Sequence, residues 1–193
     1  LLLYEEAADL DNQAFVNNFL ATAYRKLGNY EFSLNKYMDA LSIYENLEDR
    51  YGMANVYNNI GVLFKETGDL DKAMSYFEKT LEITQKLNHK KGVAASYANI
   101  ANIFDDKDQY KDALEYHRKA LLIYENIDFK EGIAISYNNL ASTLLEKGDY
   151  KEALDYSFRS YKLNLELNTT YSATLNVLNI ASVFKKQKKY SKA

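Results

Sequence analysis

The chain of 193 residues contains no cysteine, no proline and no tryptophan, and only seven glycines. Without cysteine it forms no disulfide, no cysteine-ligated zinc site and no thiol nucleophile. Proline normally interrupts helices and marks loops, so its absence favours long helices joined by short turns. No apolar run approaches the roughly 20 residues that a membrane helix needs, and we therefore expect no membrane partner.

Excess charge of either sign is also missing. The 24 basic and 27 acidic residues give a net charge of −3 and a pI near 5.5. Because a nucleic-acid surface is normally basic, we expect no nucleic-acid partner. Hydrophobic residues make up 47% of the chain and charged residues 26%, which is typical of a folded globular protein.

A repeat of 40 residues organises the sequence. Its turn positions are Gly28, Gly68, Asp108, Gly148 and Lys188. Within one unit, apolar residues from Tyr97 to Phe104 follow the i, i+3, i+4, i+7 spacing of an amphipathic helix, and a second such series follows a polar break at 105–108. Each unit is thus predicted to be two antiparallel helices. Such a pair cannot cover its own apolar faces, so we expect the pairs to stack into a solenoid.

These repeats resemble the tetratricopeptide repeat (TPR) family. In the third full unit the family pattern reads Tyr97, Ile100, Ala101, Phe104, Asp108, Tyr110, Ala113, His117, Ala120 and Leu121. Asp108 replaces the usual turn glycine, His117 replaces an aromatic residue, and the usual proline is absent. The 40-residue length is similar to the long repeats of kinesin light chains, Pins-type adaptors and bacterial TPR sensor proteins. The resemblance implies an all-α, right-handed superhelical solenoid of antiparallel helix pairs.

The register also divides the chain into units. We predict whole TPR units at 14–53, 54–93, 94–133 and 134–173, preceded by the end of an upstream second helix at 1–13. Residues 174–193 would be the first helix and the start of the second helix of a truncated unit. We therefore expect a fragment of a longer protein. End-to-end self-association through Leu1–Tyr4 and the apolar side of 174–193 is one consequence of such uncapped ends.

Residues suited to catalysis are few. His89 falls in a turn, and His117 occupies the register of Tyr37 and Phe77, where a core role is expected. Neither has a second histidine at metal-ligand spacing. The glycines are spread over repeat turns and form no phosphate-binding loop. We therefore expect no enzymatic activity, no metal and no cofactor.

One face of the predicted first helices carries amide and small side chains in place of the usual charged ones. A helical wheel places it opposite Tyr57, Ile60 and Phe64. We call it the groove stripe; its members are Asn55, Asn58, Val62, Lys65, Ala95, Ala98, Asn102, Asp105, Ile135, Asn138, Ser142, Leu145, Leu175, Leu178, Ser182 and Lys185. The TPR resemblance implies that it lines a concave groove. The stripe becomes more apolar towards Ile135, Leu145, Leu175 and Leu178, which suits a ligand with one hydrophobic end.

At the edge of the stripe, asparagine recurs in register at Asn59, Asn99, Asn139 and Asn179, with Asn18, Asn58 and Asn138 one residue earlier in the register. Asparagine is only a middling helix former, so this recurrence needs a cause. A side-chain amide has both a donor and an acceptor for the main chain of an extended peptide. Alternatively, each amide bonds to the neighbouring repeat and fixes the stacking. Both interpretations remain open, and one residue can serve both.

These observations predict a non-enzymatic scaffold that binds a protein or peptide segment in its concave groove. The alternative is a sensory or regulatory segment of a larger signalling protein, such as a histidine kinase, whose catalytic domain lies elsewhere. The predicted binding residues are Asn18, Asn55, Asn58, Asn59, Asn99, Asn102, Asn138, Asn139, Ser142, Leu175, Leu178 and Asn179. The composition favours a cytoplasmic location, with the periplasm left open.

Overall fold

The computed structural model describes the backbone of residues 2–190 and the side chains of residues 9–169, 172–174 and 176–187. In residues 2–190 it has nine α-helices and no strand, so the predicted all-α fold of antiparallel helix pairs is confirmed. The helices are α1 (Leu2–Lys26), α2 (Tyr30–Asn46), α3 (Arg50–Glu66), α4 (Leu70–Lys86), α5 (Lys90–Asp106), α6 (Tyr110–Asn126), α7 (Lys130–Lys147), α8 (Tyr150–Glu166) and α9 (Thr170–Tyr190). The odd-numbered helices are the first helices of the repeats.

Short turns with a left-handed residue join successive helices. Gly28, Gly68 and Gly148 have φ of 77°, 85° and 94°, in the region that glycine reaches at least cost. Asp108 stands in the same register in place of glycine and has φ of 57°, so aspartate also adopts the left-handed conformation at this turn. The next residue often caps the following helix: the Asp69 side chain accepts from the backbone N–H of Lys72 at 3.1 Å.

The turns between repeats set boundaries that differ from the predicted ones. Glu48, Asn88, Asp128 and Asn168 all have positive φ, and the first helices begin two residues later, at Arg50, Lys90, Lys130 and Thr170. At the first of these turns, Asp49 accepts from the backbone N–H of Tyr51 at 2.9 Å. The predicted limits after 53, 93, 133 and 173 therefore fall inside helices, because the aromatic register does not mark the capping residue.

Both predicted partial units are also corrected. Residues 2–13 continue without a break into α1, and α9 passes through residue 188 to Tyr190. Ala8 stands in the register of the left-handed Glu48, and Lys188 stands in the register of Gly148. The helices thus continue at both positions, where the register predicted a turn.

The helices form two compact units, Leu1–Ser96 and Tyr97–Ala193. In the first unit, Tyr37, Val56 and Ile60 are fully buried. In the second unit, Leu140, Leu144 and Val183 take this role. Gly61 lies at a close approach of two helices: a Cβ on it would stand 2.6 Å from the Phe77 ring. The ring packs directly on the glycine backbone, which positions α3 against α4.

Candidate functional site

In the first unit, two predicted site residues on different first helices contact each other. The Asn59 Nδ2 on α3 donates to the Asn18 Oδ1 on α1 at 3.0 Å. Both side chains are half-buried, as is Asn58, whereas Asn55 is exposed. Nearby, Arg25 on α1 forms an ion pair with Glu66 on α3. The surface of the two first helices is thus held by an amide pair and an ion pair.

The second unit repeats this contact 120 residues later. The Asn179 Nδ2 on α9 donates to the Asn138 Oδ1 on α7 at 2.9 Å. Lys186 and Glu146 form the corresponding ion pair across the same two helices, at 2.9 Å. Amide contacts between adjacent first helices are therefore observed at these two pairs, each 41 residues apart in sequence. This arrangement fixes stacking and also leaves part of each amide at the surface.

The other predicted site residues differ in exposure. Ser142 and Leu178 are exposed, whereas Asn99, Asn102 and Asn139 are half-buried. Leu175, the remaining predicted residue, has a side chain outside the described residues. Ligand binding by this set stays a prediction.

The apolar end of the groove stripe is only partly as predicted. Ile135 and Leu178 are 57% and 58% exposed, whereas Leu145 is 8% exposed and belongs to the core of the second unit. Leu145 packs in this core with Leu140, Leu144 and Val183. Sequence reasoning missed Phe15, which is 63% exposed in the register of Asn55 and Ile135.

The surfaces named for self-association are partly described. Val177 and Phe184 on α9 are 49% and 51% exposed. The side chains of Leu1–Tyr4 lie outside the described residues. Self-association stays a prediction.

A buried amide network extends inward from Asn138 and was not predicted. Asn176 on α9 also donates to the Asn138 Oδ1, at 2.9 Å, and Asn164 on α8 donates to the Asn176 Oδ1 at 2.8 Å. Asn164 and Asn176 are only 6% and 1% exposed. The repeat register carried a signal for them, because Tyr44 and Val56 hold the same positions in the first unit.

This network borders a cavity of about 110 Å³ among α7, α8 and α9. The cavity is lined by Ala134, Ile135, Asn138, Asn164, Ser172 and Asn176. Ile135 and Asn138 also belong to the groove stripe, so the cavity adjoins the predicted binding surface. Its walls combine three amides, one hydroxyl and two apolar side chains, a lining suited to a small neutral polar group.

A second polar cluster in the same unit surrounds His117, which is buried as predicted, at 1% exposure. The Asp105 Oδ2 lies 3.0 Å from the His117 Nε2 and accepts from the Thr143 hydroxyl at 2.9 Å. The His117 Nδ1 and the Asp105 Oδ1 are buried and bond to no other described atom. The cluster links α5, α6 and α7 by hydrogen bonds.

Several tyrosine hydroxyls have pKa values above the usual 10.0. A hydrogen bond of 2.6 Å to the Asp108 carboxylate raises the pKa of Tyr110 to about 12. Burial is the main cause that raises the pKa values of Tyr57, Tyr124 and Tyr137. These hydroxyls all stay protonated at neutral pH and can donate hydrogen bonds.

Among the described residues, no three histidine, aspartate or glutamate side chains are grouped so as to bind a metal. Within that same part of the chain, no helix is both long and apolar enough to cross a bilayer.

Comparison with known proteins identifies the fold and the family. BtubC (BKLC) from P. vanneervenii superposes with a TM-score of 0.84 at 22% identity, over 100% of this chain and 80% of that one. A STAND protein with a tetratricopeptide repeat sensor from Pyrococcus horikoshii gives 0.80 at 21%, over 95% of this chain and 30% of that one. A Rap protein complexed with competence and sporulation factor superposes with a TM-score of 0.79 at 20% identity, over 94% of this chain and 54% of that one.

At these identities the structural likeness establishes the fold alone. None of the curated protein sequences matches this chain significantly. The tetratricopeptide repeat family, however, matches it over residues 12–86 and 92–165, which is more than half of its length. The chain therefore belongs to the tetratricopeptide repeat family.

Proposed function

We propose that this chain is a non-enzymatic binding module that holds an extended protein or peptide segment on the groove stripe of its first helices. The observation that carries this proposal is the held amide, by which we mean an asparagine side chain whose orientation is fixed by a hydrogen bond to the neighbouring first helix. Asn18 and Asn138 sit at equivalent positions of the two units, each with its side-chain oxygen bonded to an asparagine of the next first helix. The amide nitrogen of each is therefore directed away from that contact.

A held amide is favourable for binding because its orientation is fixed before the ligand arrives. Ordering a mobile side chain on binding typically costs about 0.5–1.5 kcal/mol. At Asn18 and Asn138 the side chain is already ordered by its hydrogen bond in the folded chain, so binding loses less conformational entropy. Peptide carbonyl groups recur along an extended chain and are natural acceptors for such N–H groups.

Exposed apolar side chains beside the amides supply the remaining part of a peptide surface. Phe15 lies in the first unit, and Ile135 and Leu178 lie in the second, each more than half exposed. Large apolar anchors flanked by polar groups are typical of protein-binding surfaces. The combination favours a segment with a regular backbone and a few apolar side chains.

A sensory or regulatory role within a larger protein is the second candidate. It is favoured by the likeness to the STAND protein with a repeat sensor, of which this chain spans 30%. In that role the same surface would bind the signal, and domains elsewhere in the protein would respond. The two candidates share the binding step and differ in whether a bound ligand alters the activity of another domain.

The binding step is tested by selecting ligands from a random peptide display library with the immobilised 193-residue chain. The dissociation constant of a selected peptide is then measured by calorimetry. Asn55→Ala combined with Ser142→Ala removes two exposed stripe side chains, one from each unit. We expect affinity to fall about tenfold, because each lost hydrogen bond costs about 0.5–1.5 kcal/mol.

The matched control is Asn35→Ala combined with Asn126→Ala, which alters exposed residues on the second helices α2 and α6. This control should bind as tightly as the unaltered chain. Equal losses in the two double variants, or no selected peptide at all, would contradict binding on the groove stripe.

A further inference from the structure

We infer that the 110 Å³ cavity among α7, α8 and α9 is a subsite for a primary carboxamide, the side chain of an asparagine or glutamine in the bound segment. This inference rests on the proposed function, because the segment lies on the groove stripe that the cavity adjoins. All the residues that line the subsite belong to the second unit. Its preference for a carboxamide follows from which of the lining asparagines donate and which accept hydrogen bonds.

That direction is set at the bottom of the cavity by a backbone carbonyl. The Ser160 hydroxyl donates to the carbonyl oxygen of Ala134 at 2.8 Å, so its own oxygen can only accept from Asn164. The Asn164 Nδ2 lies 3.3 Å from that oxygen. On the other side of the same amide, the Thr169 hydroxyl lies 2.8 Å from the Asn164 Oδ1. The Asn164 amide therefore has one defined orientation.

The orientation of the Asn164 amide in turn fixes the orientation of the amides nearer the groove. The second N–H of Asn164 donates to the Asn176 Oδ1 at 2.8 Å, which leaves the Asn176 Nδ2 to donate to the Asn138 Oδ1 at 2.9 Å. Asn179 donates to that same oxygen. A rotated Asn138 amide would place N–H groups against two donors. The Asn138 oxygen is thus fully engaged, and its NH₂ group is what Asn138 offers to a ligand.

The remaining hydrogen-bonding capacity of the cavity is mixed. The Asn138 Nδ2 can donate to a ligand, and Asn176 has a second N–H. Unused lone pairs remain on Asn164 and Asn176, because each side-chain oxygen accepts one bond from another side chain. A group that fits these atoms needs an acceptor and a donor on the same small frame. A primary carboxamide has both, on the same carbon atom.

Size and charge narrow the ligand further. A volume of 110 Å³ corresponds to about three to four water molecules at roughly 30 Å³ each. This space suits a carboxamide and its methylene, with Ala134 and Ile135 against the carbon atoms. Among the described residues that line the cavity, none is ionisable. A carboxylate or an ammonium group would therefore lose its hydration without a compensating charge.

The test uses acetamide as the probe and acetate as its charged isostere, titrated into the ¹⁵N-labelled full-length chain. The readout is the side-chain NH₂ signals of Asn138, Asn164 and Asn176. Acetamide should give saturable shifts with a dissociation constant on the order of millimolar to tens of millimolar, as expected for a ligand of four heavy atoms. Acetate should give none. Equal responses to both, or no saturable response to acetamide, would overturn the subsite.

Asn138→Asp tests the donor itself, because it keeps an oxygen for Asn176 and Asn179 and replaces the NH₂ group by a second oxygen. We expect the acetamide dissociation constant to rise about tenfold or more. Asn126→Asp, at an exposed site on α6, is the matched control and should bind like the unaltered chain. Undiminished binding to Asn138→Asp would contradict the assigned direction.

The peptides selected for the groove separate this inference from the proposed function. Those that occupy the subsite should carry asparagine or glutamine at one position, and changing it to the matching acid should weaken binding about tenfold. Selected peptides that bind without a carboxamide would overturn the subsite and leave the proposed function standing. Acetamide binding with no peptide selected would support the subsite and contradict the proposed function.

Discussion

In the unit formed by Leu1–Ser96, the central position of each second helix holds a buried aromatic ring, Tyr37 or Phe77, whereas the unit formed by Tyr97–Ala193 has His117 and Ser157 there. The Phe77 ring packs on the Gly61 backbone. The His117 ring is equally buried but bonds to Asp105. Helices of the same length and the same turns form around both kinds of side chain. The repeats therefore share one backbone arrangement although their buried side chains differ in polarity.

A second difference lies nearer the groove. Tyr44 and Val56 pack as core residues in the first unit, and the same register gives the hydrogen-bonded Asn164 and Asn176 in the second. Burying an amide without a partner costs about 1–3 kcal/mol, so a polar core is tolerable only when its bonds are complete. At Asn164 and Asn176 the second unit carries a hydrogen-bond network with a defined direction, and that network reaches a surface cavity.

The largest effect is expected where the core is aromatic. Phe77→Ala should lower the free energy of unfolding by about 3–5 kcal/mol, because it removes a buried ring and leaves a cavity beside Gly61. Urea denaturation followed by circular dichroism measures it. His117→Ala is the matched change in the second unit and should cost less, since a smaller ring and one hydrogen bond are lost. An equal or greater cost at His117 would remove the distinction between the two cores.

The next effect concerns the buried amides. Asn164→Ala should lower the free energy of unfolding by about 2–3 kcal/mol, because it leaves the buried Asn176 Oδ1 without its donor and also removes the bonds to Ser160 and Thr169. Asn18→Ala, which breaks the half-buried pair of the first unit, should cost only about 0.5–1.5 kcal/mol. A double-mutant cycle of Asn164→Ala with Asn176→Ala should show coupling. If the two losses of unfolding free energy simply add, the two amides do not stabilise each other.

A smaller effect is expected when the second unit is converted towards the first. His117→Phe combined with Asp105→Lys reproduces Phe77 and Lys65 of the first unit. The new ring replaces the hydrogen bonds of a buried polar cluster by apolar packing, so stability should change by less than about 2 kcal/mol. Thermal unfolding of the double variant tests this. A loss as large as that of Phe77→Ala would show that the two cores are not interchangeable.

The smallest effect is a dependence on alkaline pH. Burial raises the pKa of Tyr124 above its usual value of 10.0. The unfolded chain then releases this proton first, so the contribution of Tyr124 to stability is complete below about pH 10 and is lost as the pH rises towards its folded-state pKa. Tyr124→Phe should make the melting temperature fall less steeply above about pH 10. The exposed Tyr30→Phe is the control, and an identical slope in both variants would contradict the assignment.

The sequence was sufficient for the fold because the repeat restates the same spacing in every unit. Ile60 recurs as Ile100, Leu140 and Ile180, and Gly61 as Ala101, Ala141 and Ala181, at intervals of 40 residues. Boundaries were less predictable, because the left-handed Glu48 or Asn88 resembles any polar helix residue in sequence. The continuous α1 and α9 were not predictable either, because Ala8 and Lys188 stand in the register of Glu48 and Gly148, where the chain does turn.

The candidate site was predictable in position and only partly in detail. The stripe residues Asn55 and Ser142 are exposed as a helical wheel requires. The bond of Asn59 to Asn18 depends on the distance between two helices, which no wheel contains. The wheel places Leu145 at the surface because it ignores packing from other helices. Asn164 and Asn176 depart from the register, and such departures are the sequence signal for the network.

The central claim is that ligands bind on the first helices. The most direct measurement is the set of ¹H–¹⁵N signals that shift when a selected peptide is added to the full-length chain. We predict that the perturbed signals cluster at Asn18, Asn55, Asn138 and Ser142, and that the exposed second-helix residues Leu122 and Phe158 stay unchanged. Shifts concentrated at Leu122 and Phe158, with the stripe amides unaffected, would contradict the account.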